Sequence, residues 1–210
     1  VSIEENGNRE PINYREPPGI ERELNIGTTN LTQLNEQSMV MKTCDLADGD
    51  AVAAYKTADF DFRQFKRLKM FVHAEESDPI NHPLDSTDLT VFVRMGSDYV
   101  RNYYEYVLPL TPSDPDKLNG NPDSRDYKDE VWRPENSFDF PLDLLIEIKK
   151  QRNLANGGNY PLDSVFEMTD PNNPRGKVRV LGNPNLGYVK GAMVGVRNVD
   201  ETDNQSNRHC

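Results

Sequence analysis

The chain has 210 residues, of which 35 are acidic and 24 are basic, so its formal net charge at neutral pH is −11. Such a surface repels phosphate backbones and anionic lipid head groups, which argues against a nucleic-acid-binding protein and against docking on an acidic membrane. With 35% hydrophobic residues and no apolar run near the roughly 18 residues that a membrane helix needs, the sequence predicts a modest core, long polar loops and no helical span.

Residues 1–33 are polar and contain Pro17-Pro18-Gly19, which forces an extended entry followed by a turn. We interpret them as a lead-in or linker to a β-domain at residues 34–200, which is followed by a tail at residues 201–210. The first residues have neither the basic start nor the apolar stretch of a signal peptide. We expect both ends to have been cut from a longer chain, so that this is a segment of a larger envelope protein.

The β pattern begins near residue 36, with a short apolar run at residues 38–44. Residues 51–55 are expected to form a short helical turn, and three phenylalanines between 60 and 65 predict an aromatic patch. Residues 67–75 then alternate apolar and polar side chains, which is the period of a half-buried strand. This strand is expected to turn Leu68, Met70, Val72 and Ala74 to one side.

The clearest hairpin is predicted from residues 89–96 and 102–108, joined by a turn that starts at Gly96. Alternation places Tyr104, Tyr106 and Leu108 on one face of the second strand and Tyr103 with Glu105 on the other. The first face is expected to be the core face. Replacing both core-facing tyrosines should therefore mainly cost stability.

Residues 111–137 are rich in Pro, Asp, Asn and Gly and are interpreted as a long loop. The helix candidate at residues 141–153 has acidic side chains early and basic ones late, which complements the helix dipole. Its expected buried face consists of Leu142, Leu145, Ile146 and Lys149. With further strands predicted at 177–181 and 189–199, the fold class is mainly β, an antiparallel, jelly-roll-like β-sandwich with one or two short helices.

Catalytic patterns are missing from the sequence. The histidines, His73, His82 and His209, are far apart, and there is neither a Gly-x-Ser-x-Gly elbow nor a phosphate-binding glycine loop. We therefore predict no enzyme, no catalytic residue and no cofactor. The two cysteines, Cys44 and Cys210, leave open whether they pair.

Calcium is the one metal that the composition suggests. Asp45, Asp48 and Asp50 surround a glycine, and residues 119–123 supply further oxygen ligands. The spacing lacks the twelve-residue loop of an EF-hand and its closing Glu, and clusters of Asp, Asn and Gly usually form turns. We therefore predict no metal ligands and interpret both segments as turns.

The residues that predict an interaction surface lie at the hairpin turn: Arg94, Asp98, Asn102, Tyr103 and Glu105. Aromatic planes beside hydrogen-bonding side chains are typical of carbohydrate-binding faces. The alternative is structural, with Arg94 and Glu105 paired across the two strands. Trp132, after the long loop, could fill a core or lie at a rim, and the core is the favoured interpretation.

Several motifs, taken in their order along the chain, carry a resemblance to a known family. They are PPGIERE (17–23), LNEQS (34–38), YKT (55–57), RLKMFVHAE (67–75), RMGSD (94–98), NYYEY (102–106), GNPNL (182–186) and VGVRN (194–198). In these motifs the chain resembles the SprA/Sov family, very large outer-membrane proteins of the type IX secretion system that are also tied to gliding motility.

The resemblance implies a structural or interaction segment of a protein-secretion translocon, which caps or braces the pore and contacts other parts of its own chain and secretion-system proteins. It also implies a place in the cell envelope at the outer membrane, where this segment faces the extracellular side or, as the alternative, the periplasm. The alternative function is a carbohydrate-binding or adhesive jelly-roll module of a secreted protein, with a glycan as partner.

Overall fold

The structure is a computed structural model that describes residues 1–5, 12, 15–25, 32–34, 37–43, 46–76, 84, 86 and 88–199. Cys44, Cys210, Asp45, His82, His209 and the predicted tail at residues 201–210 lie outside these residues. In chain order the strands before the main hairpin are β1 (Ser2–Glu5), β2 (Leu24–Asn25), β3 (Thr32–Gln33), β4 (Gln37–Val40), β5 (Ala51–Phe60) and β6 (Arg67–Met70). The later elements are β7 (Leu89–Gly96), β8 (Tyr103–Pro109), α1 (Arg125–Val131), β9 (Phe138–Pro141), α2 (Asp143–Leu154), β10 (Phe166–Asp170), β11 (Asn173–Leu181) and β12 (Val189–Asn198).

A six-stranded antiparallel sheet dominates the fold, with the strand order β10-β11-β8-β7-β12-β5. The predicted hairpin of β7 and β8 lies at its centre, in a register that places Arg94 opposite Glu105. The mainly β, antiparallel fold class with two short helices is confirmed. Alternation along the central strands divides their side chains between two faces, which are called the inner face and the outer face below.

The layer that packs on the inner face consists of α2 and the two-stranded pair β6–β9. Its aromatic side chains fill the space above β8: the Tyr106 ring stacks on Phe140 at 4.1 Å between centroids and meets Phe138 edge-on at 5.6 Å. The fully buried members of this core include Val91, Met95, Leu108, Phe138, Phe140, Leu145, Ile148, Val178 and Val180. The core tyrosines lie where the alternation predicts.

Helix α2 begins two residues later than predicted and buries a different stripe. Leu144, Leu145, Ile148 and Arg152 are buried, whereas Ile146 is 41% exposed. Leu142 is buried but precedes the helix, so it does not define the helical face. The expected stripe was right at Leu145 and wrong at Ile146, because the helix packs on the sheet through Leu144 and Ile148 instead.

Residues 51–55 are strand rather than the expected helical turn, because they begin β5, which pairs along β12 from Ala51 to Phe60. Alanine has low strand propensity, but ladder hydrogen bonds to a neighbouring strand override that preference. The aromatic patch after β5 is confirmed, with the Phe60 and Phe62 rings 5.5 Å apart and Phe62 and Phe65 6.2 Å apart.

Residues 111–137, predicted as a loop, contain α1 and two short 3₁₀ turns, Pro115–Asn119 and Pro134–Asn136. Ser124 caps α1 by accepting a hydrogen bond from the Tyr127 backbone. The helix supports a second small core in which Trp132 is buried with Tyr127 and Val131. Trp132 is thus buried, as favoured, but in this satellite cluster, where its Nε1 donates to the Arg15 carbonyl at 2.8 Å.

The predicted strand at residues 67–75 pairs only as far as Met70, the end of β6, along β9. Its predicted face is nevertheless kept, because Leu68, Met70, Val72 and Ala74 all pack against the main core. In the lead-in, β2 pairs with β3, while β1 pairs with β4, which lies beyond residue 33 in the predicted β-domain. Among the described residues, no helix is both long and apolar enough to cross a membrane.

Candidate interaction face

The outer face of the six-stranded sheet carries charged and aromatic side chains, yet its centre is shielded from water. Tyr103, Glu105 and Val107 of β8 are all buried, as is Phe92 of the neighbouring strand. Glu105 is only 1% exposed, which is unusual for a carboxylate on the side of a sheet opposite the hydrophobic core. Such a carboxylate needs charged partners to offset the loss of water.

Those partners are three guanidinium groups, which reach Glu105 from three different strands. Arg94 is closest, with Nη2 2.6 Å and Nε 2.8 Å from Glu105 Oε2. Arg179 Nη1 lies 3.2 Å from Oε1, and Arg197 Nη2 lies 3.3 Å from both carboxylate oxygens. Burial alone would raise the pKa of Glu105, but the charges and hydrogen bonds of Arg197 and Arg94 hold that pKa below its ordinary value. The carboxylate is therefore ionised at neutral pH.

Guanidinium groups also cover the aromatic rings of this face. The Arg94 guanidinium carbon lies 3.9 Å from the centroid of the Tyr103 ring, and the Arg197 carbon lies 4.7 Å from that of Phe92. These are cation–π distances. The Phe92 ring rests on Gly195, where a Cβ atom would be only 2.7 Å from Phe92 Cε1. The Phe92 ring is thus held between Gly195 on one side and the Arg197 guanidinium group on the other, and the Tyr103 ring is covered by Arg94.

Two further side chains extend the charged row toward the sheet edge. Arg179 Nε lies 2.6 Å from Glu167 Oε2, and Lys177 Nζ lies 2.9 Å from Glu167 Oε1. We call the set Arg94, Arg179, Arg197, Lys177, Glu105, Glu167, Phe92 and Tyr103 the arginine face. It contains four cationic and two anionic side chains, so it is locally positive within a chain whose net charge is −11.

The turn between β7 and β8 closes one end of the arginine face and is organised by Asp98. Its Oδ1 accepts hydrogen bonds from the backbone N–H groups of Val100, Arg101 and Asn102, and its Oδ2 accepts one from Asn102 Nδ2 at 2.9 Å. Partial burial opposes ionisation, but these hydrogen bonds lower the pKa of Asp98 to about 2. Arg94 joins the face to the turn, since its Nη1 donates to the Tyr99 carbonyl at 2.6 Å.

The turn is fixed in its position by the loop between β11 and β12. Asn102 Oδ1 accepts a hydrogen bond from the Asn183 backbone at 2.9 Å. Gly182 has a positive φ of 67°, and a Cβ atom at this position would overlap the Arg101 carbonyl oxygen. The turn and the loop are therefore packed backbone to backbone, which only glycine allows here.

Side chains from the inner layer hold the same loop from the other side. Lys149 Nζ and Tyr104 Oη both donate to the Pro184 carbonyl, at 2.7 Å and 3.1 Å. Arg152, which is fully buried, donates to the Gly182 carbonyl. Burial raises the pKa of Tyr104 to about 12 and lowers that of Arg152. The end of the sheet that carries the turn is thus one hydrogen-bonded block.

The profile of the SprA_N family, described as motility related/secretion protein, matches residues 1–210. The chain belongs to this family. The resemblance to SprA/Sov proteins seen in the motifs is thereby confirmed. No match was found among curated proteins. As a member of the SprA_N family, the chain is a motility- and secretion-related protein.

The structure brings the five predicted interaction residues of this SprA_N domain together, but in two roles. Arg94, Tyr103 and Glu105 belong to the arginine face, whereas Asp98 and Asn102 build the adjacent turn. The cross-strand pair of Arg94 and Glu105 is present as expected. Sugar stacking on Tyr103 would have to displace the Arg94 guanidinium that covers its ring.

Sequence reasoning missed Phe92, Glu167 and Lys177 of the arginine face, and also the two further guanidinium groups that reach Glu105, those of Arg179 and Arg197. Each arginine could have been found from alternation: Arg179 lies between the buried Val178 and Val180, and Arg197 follows Val196 on a predicted strand. Their side chains must then point away from the core. Both strands flank the central hairpin and therefore bring both guanidinium groups to Glu105. This placement depends on the strand order, which alternation does not predict.

The described residues contain no group of three or more His, Cys, Asp or Glu side chains that could hold a metal ion. Asp48, from the first calcium candidate, instead accepts a hydrogen bond from Asn198 Nδ2 at 3.2 Å. In the second candidate, Asn121 Oδ1 accepts from the Asp123 backbone at 3.0 Å, which is the hydrogen bond of a turn. The ring of His73 lies 6.2 Å from that of Trp132, in an edge-on aromatic contact.

Proposed function

We propose that this SprA_N domain is a non-catalytic structural and interaction segment of an outer-membrane protein-secretion translocon of the type IX system, which also serves gliding motility. The family match over residues 1–210 supports a role in motility and secretion. The finer role, capping or bracing the pore, is supported by the arginine face. A row of charges that is fixed in place on one side of a six-stranded sheet suits binding to another protein surface.

The observation that carries this proposal is the difference between the charge of the arginine face and that of the whole chain. Three guanidinium groups converge on one buried carboxylate and remain 18–27% exposed. Arginine is enriched at protein interfaces because its planar group binds carboxylates in a fork and stacks on aromatic rings. The partners that we propose are other parts of the same long chain and secretion-system proteins.

For localisation we propose the cell envelope at the outer membrane, with this segment facing the extracellular side. Its acidic surface disfavours contact with anionic head groups, which fits a segment that stands away from the bilayer. Periplasmic placement is the alternative. Protease treatment of intact cells separates the two, since only an extracellular segment is cleaved without permeabilisation.

The test of the proposed function is an immunoblot of fractionated source cells with an antibody raised against this domain. We expect a very large species in the outer-membrane fraction. A soluble or secreted species near 23.9 kDa, the mass of this chain, would contradict the translocon assignment and lead to glycan-binding assays instead. In the same cells, deleting the segment from its parent gene is expected to reduce cargo secretion and gliding together.

A further inference from the structure

We propose that the arginine face binds an acidic peptide segment, whose carboxylates are held by Arg197, Arg179 and Arg94. This inference rests on the proposed function only in assuming that the domain works by binding protein. It adds the chemistry of the partner: an extended stretch of polypeptide that carries glutamate or aspartate at short intervals.

The first support is an excess of guanidinium groups over carboxylates. Arg94, Arg179 and Arg197 share Glu105, and one of them, Arg179, also contacts Glu167. A guanidinium group offers five N–H donors, and one carboxylate cannot use the donors of three such groups. Donors therefore remain for carboxylates from outside.

Arg197 is the best placed of the three for an incoming carboxylate. Its hydrogen bonds to Glu105 are 3.3 Å long, whereas charge-assisted hydrogen bonds between nitrogen and oxygen are usually about 2.7–2.9 Å. Its guanidinium group also lies over the Phe92 ring, and its side chain is 20% exposed. A bidentate bond to an external carboxylate would replace weak contacts with strong ones.

The spacing of the face suits an extended peptide. Arg94 and Arg179 lie on β7 and β11, on either side of β8, so their backbones are separated by two strand spacings of about 4.8 Å each. Successive side chains on one side of an extended peptide repeat at about 6.7 Å. Carboxylates two residues apart lie on the same side of such a peptide and can therefore reach neighbouring guanidinium groups, which converge on Glu105.

The same observations favour a short acidic peptide over a nucleic acid or an anionic membrane. Both of the latter present many charges over a large area, and most of that area would face a chain of net charge −11. A short peptide meets only the locally positive arginine face. Because the rings of Phe92 and Tyr103 are already buried beneath the guanidinium groups, little ordering is needed on binding.

The test is fluorescence anisotropy with the 210-residue chain and a labelled octapeptide that has Glu at alternate positions and Ser between them. A matched peptide with Gln in place of Glu is the probe control. Arg197→Gln is expected to weaken binding of the Glu peptide by about five- to tenfold, as loss of one partly shielded ion pair would. Arg125→Gln, which removes an arginine that is 91% exposed on α1, is expected to leave binding unchanged.

Thermal unfolding of Arg197→Gln accompanies the titration, so that binding is compared at a temperature where both proteins are folded; Glu105 keeps Arg94 and Arg179 in the variant. Equal binding of the Glu and Gln peptides would overturn the proposal, as would equal loss in the two arginine variants. A sulfated oligosaccharide or a phosphatidylserine vesicle that binds more tightly than the Glu peptide would also overturn it. None of these outcomes alters the localisation that tests the proposed function.

Discussion

The inner and outer faces of the central sheet are both shielded from water, but by different means. Strand β8 contributes Tyr104, Tyr106 and Leu108 to the inner face and Tyr103 and Glu105 to the outer one, and all five are buried. On the inner face the cover is apolar: helix α2 and the pair β6–β9. On the outer face the cover is a layer of arginine side chains.

The difference shows that a sheet can lose water from both sides without a second hydrophobic core. Arginine has an apolar stem and a planar, weakly hydrated head, so it can shield aromatic rings while its own charge stays near the surface. The inner face depends on packing, which is non-directional. The outer face depends on one carboxylate that keeps three like charges together.

The largest loss of stability is expected from disrupting the packing of the inner face. Tyr104→Ala with Tyr106→Ala removes two rings from the core, and each should cost about 3–5 kcal/mol of the free energy of unfolding. Tyr106 also loses its hydrogen bond to Asp170, 2.7 Å long. Urea denaturation measures the loss, and Tyr188→Ala, at a ring that is 58% exposed, is the control. Unchanged melting together with abolished ligand binding would mean that these tyrosines serve binding instead.

The substitution that disrupts the ion pairs of the outer face is Glu105→Gln. Without the carboxylate, three guanidinium groups repel one another, and we expect a loss of about 2–4 kcal/mol in the free energy of unfolding. The same denaturation assay applies, with Glu147→Gln on the exposed side of α2 as the control. A loss no greater than that of the control would show that packing alone holds the outer face together.

A third change tests how closely the outer rings are packed. In Gly195→Ala the new methyl group would press on the Phe92 ring and lie 2.7 Å from Ala53 Cβ, so we expect a loss of about 1–3 kcal/mol from overpacking. Gly120→Ala, where no heavy atom lies within 4 Å of the new Cβ, is the matched control. Equal stability of the two variants would indicate that Phe92 is free to move.

Acid should weaken the turn at the end of the outer face before it weakens the inner face. The pKa of Asp98 is about 2 in the folded chain, below its ordinary value of 3.8. A group with a lowered folded-state pKa contributes stability that is present above its unfolded pKa and is lost as the pH falls through the folded pKa. Thermal unfolding followed from about pH 6 to about pH 2 should therefore show a shallower decline for Asp98→Asn than for the unsubstituted chain. Parallel declines would contradict this account.

The smallest effect is expected at the rim of the arginine face. Lys177→Ala removes an ion pair to Glu167 in which the lysine side chain is 53% exposed, and Arg179 still contacts the same carboxylate. Exposed pairs contribute below about 1 kcal/mol, so the free energy of unfolding should barely change. A larger loss, measured by urea denaturation, would show that the ion pair of Lys177 with Glu167 contributes to stability as the buried ion pairs of Glu105 do.

Prediction from sequence succeeded where alternation was strict. The strands that became β7 and β8, their turn, the inward tyrosines and the pair of Arg94 with Glu105 all follow from a period of two along the chain. It failed where local preference and tertiary contacts disagree. Residues 51–55 are alanine-rich, and only pairing with β12 makes them a strand.

The segment at residues 111–137 failed for a related reason. Its Pro, Asp and Gly residues are typical of loops, but α1 needs only seven residues and is stabilised by burying Tyr127 and Val131 beside Trp132. A helix this short has little stability of its own. Whether the helix forms depends on the residues against which it packs, and the local sequence pattern does not indicate which residues these are.

By itself, the sequence determined the family, the antiparallel β character and which side chains of each strand share a face, because motif order and alternation are properties of the chain alone. Only the tertiary structure decided that β11 and β12 flank the central hairpin, so that Arg179 and Arg197 join Arg94 around Glu105. Strand order depends on contacts between residues that are far apart in the chain; Glu105 and Arg197, for example, are separated by 92 positions. No local pattern encodes such contacts, because the free energy that selects them arises only when the layers pack.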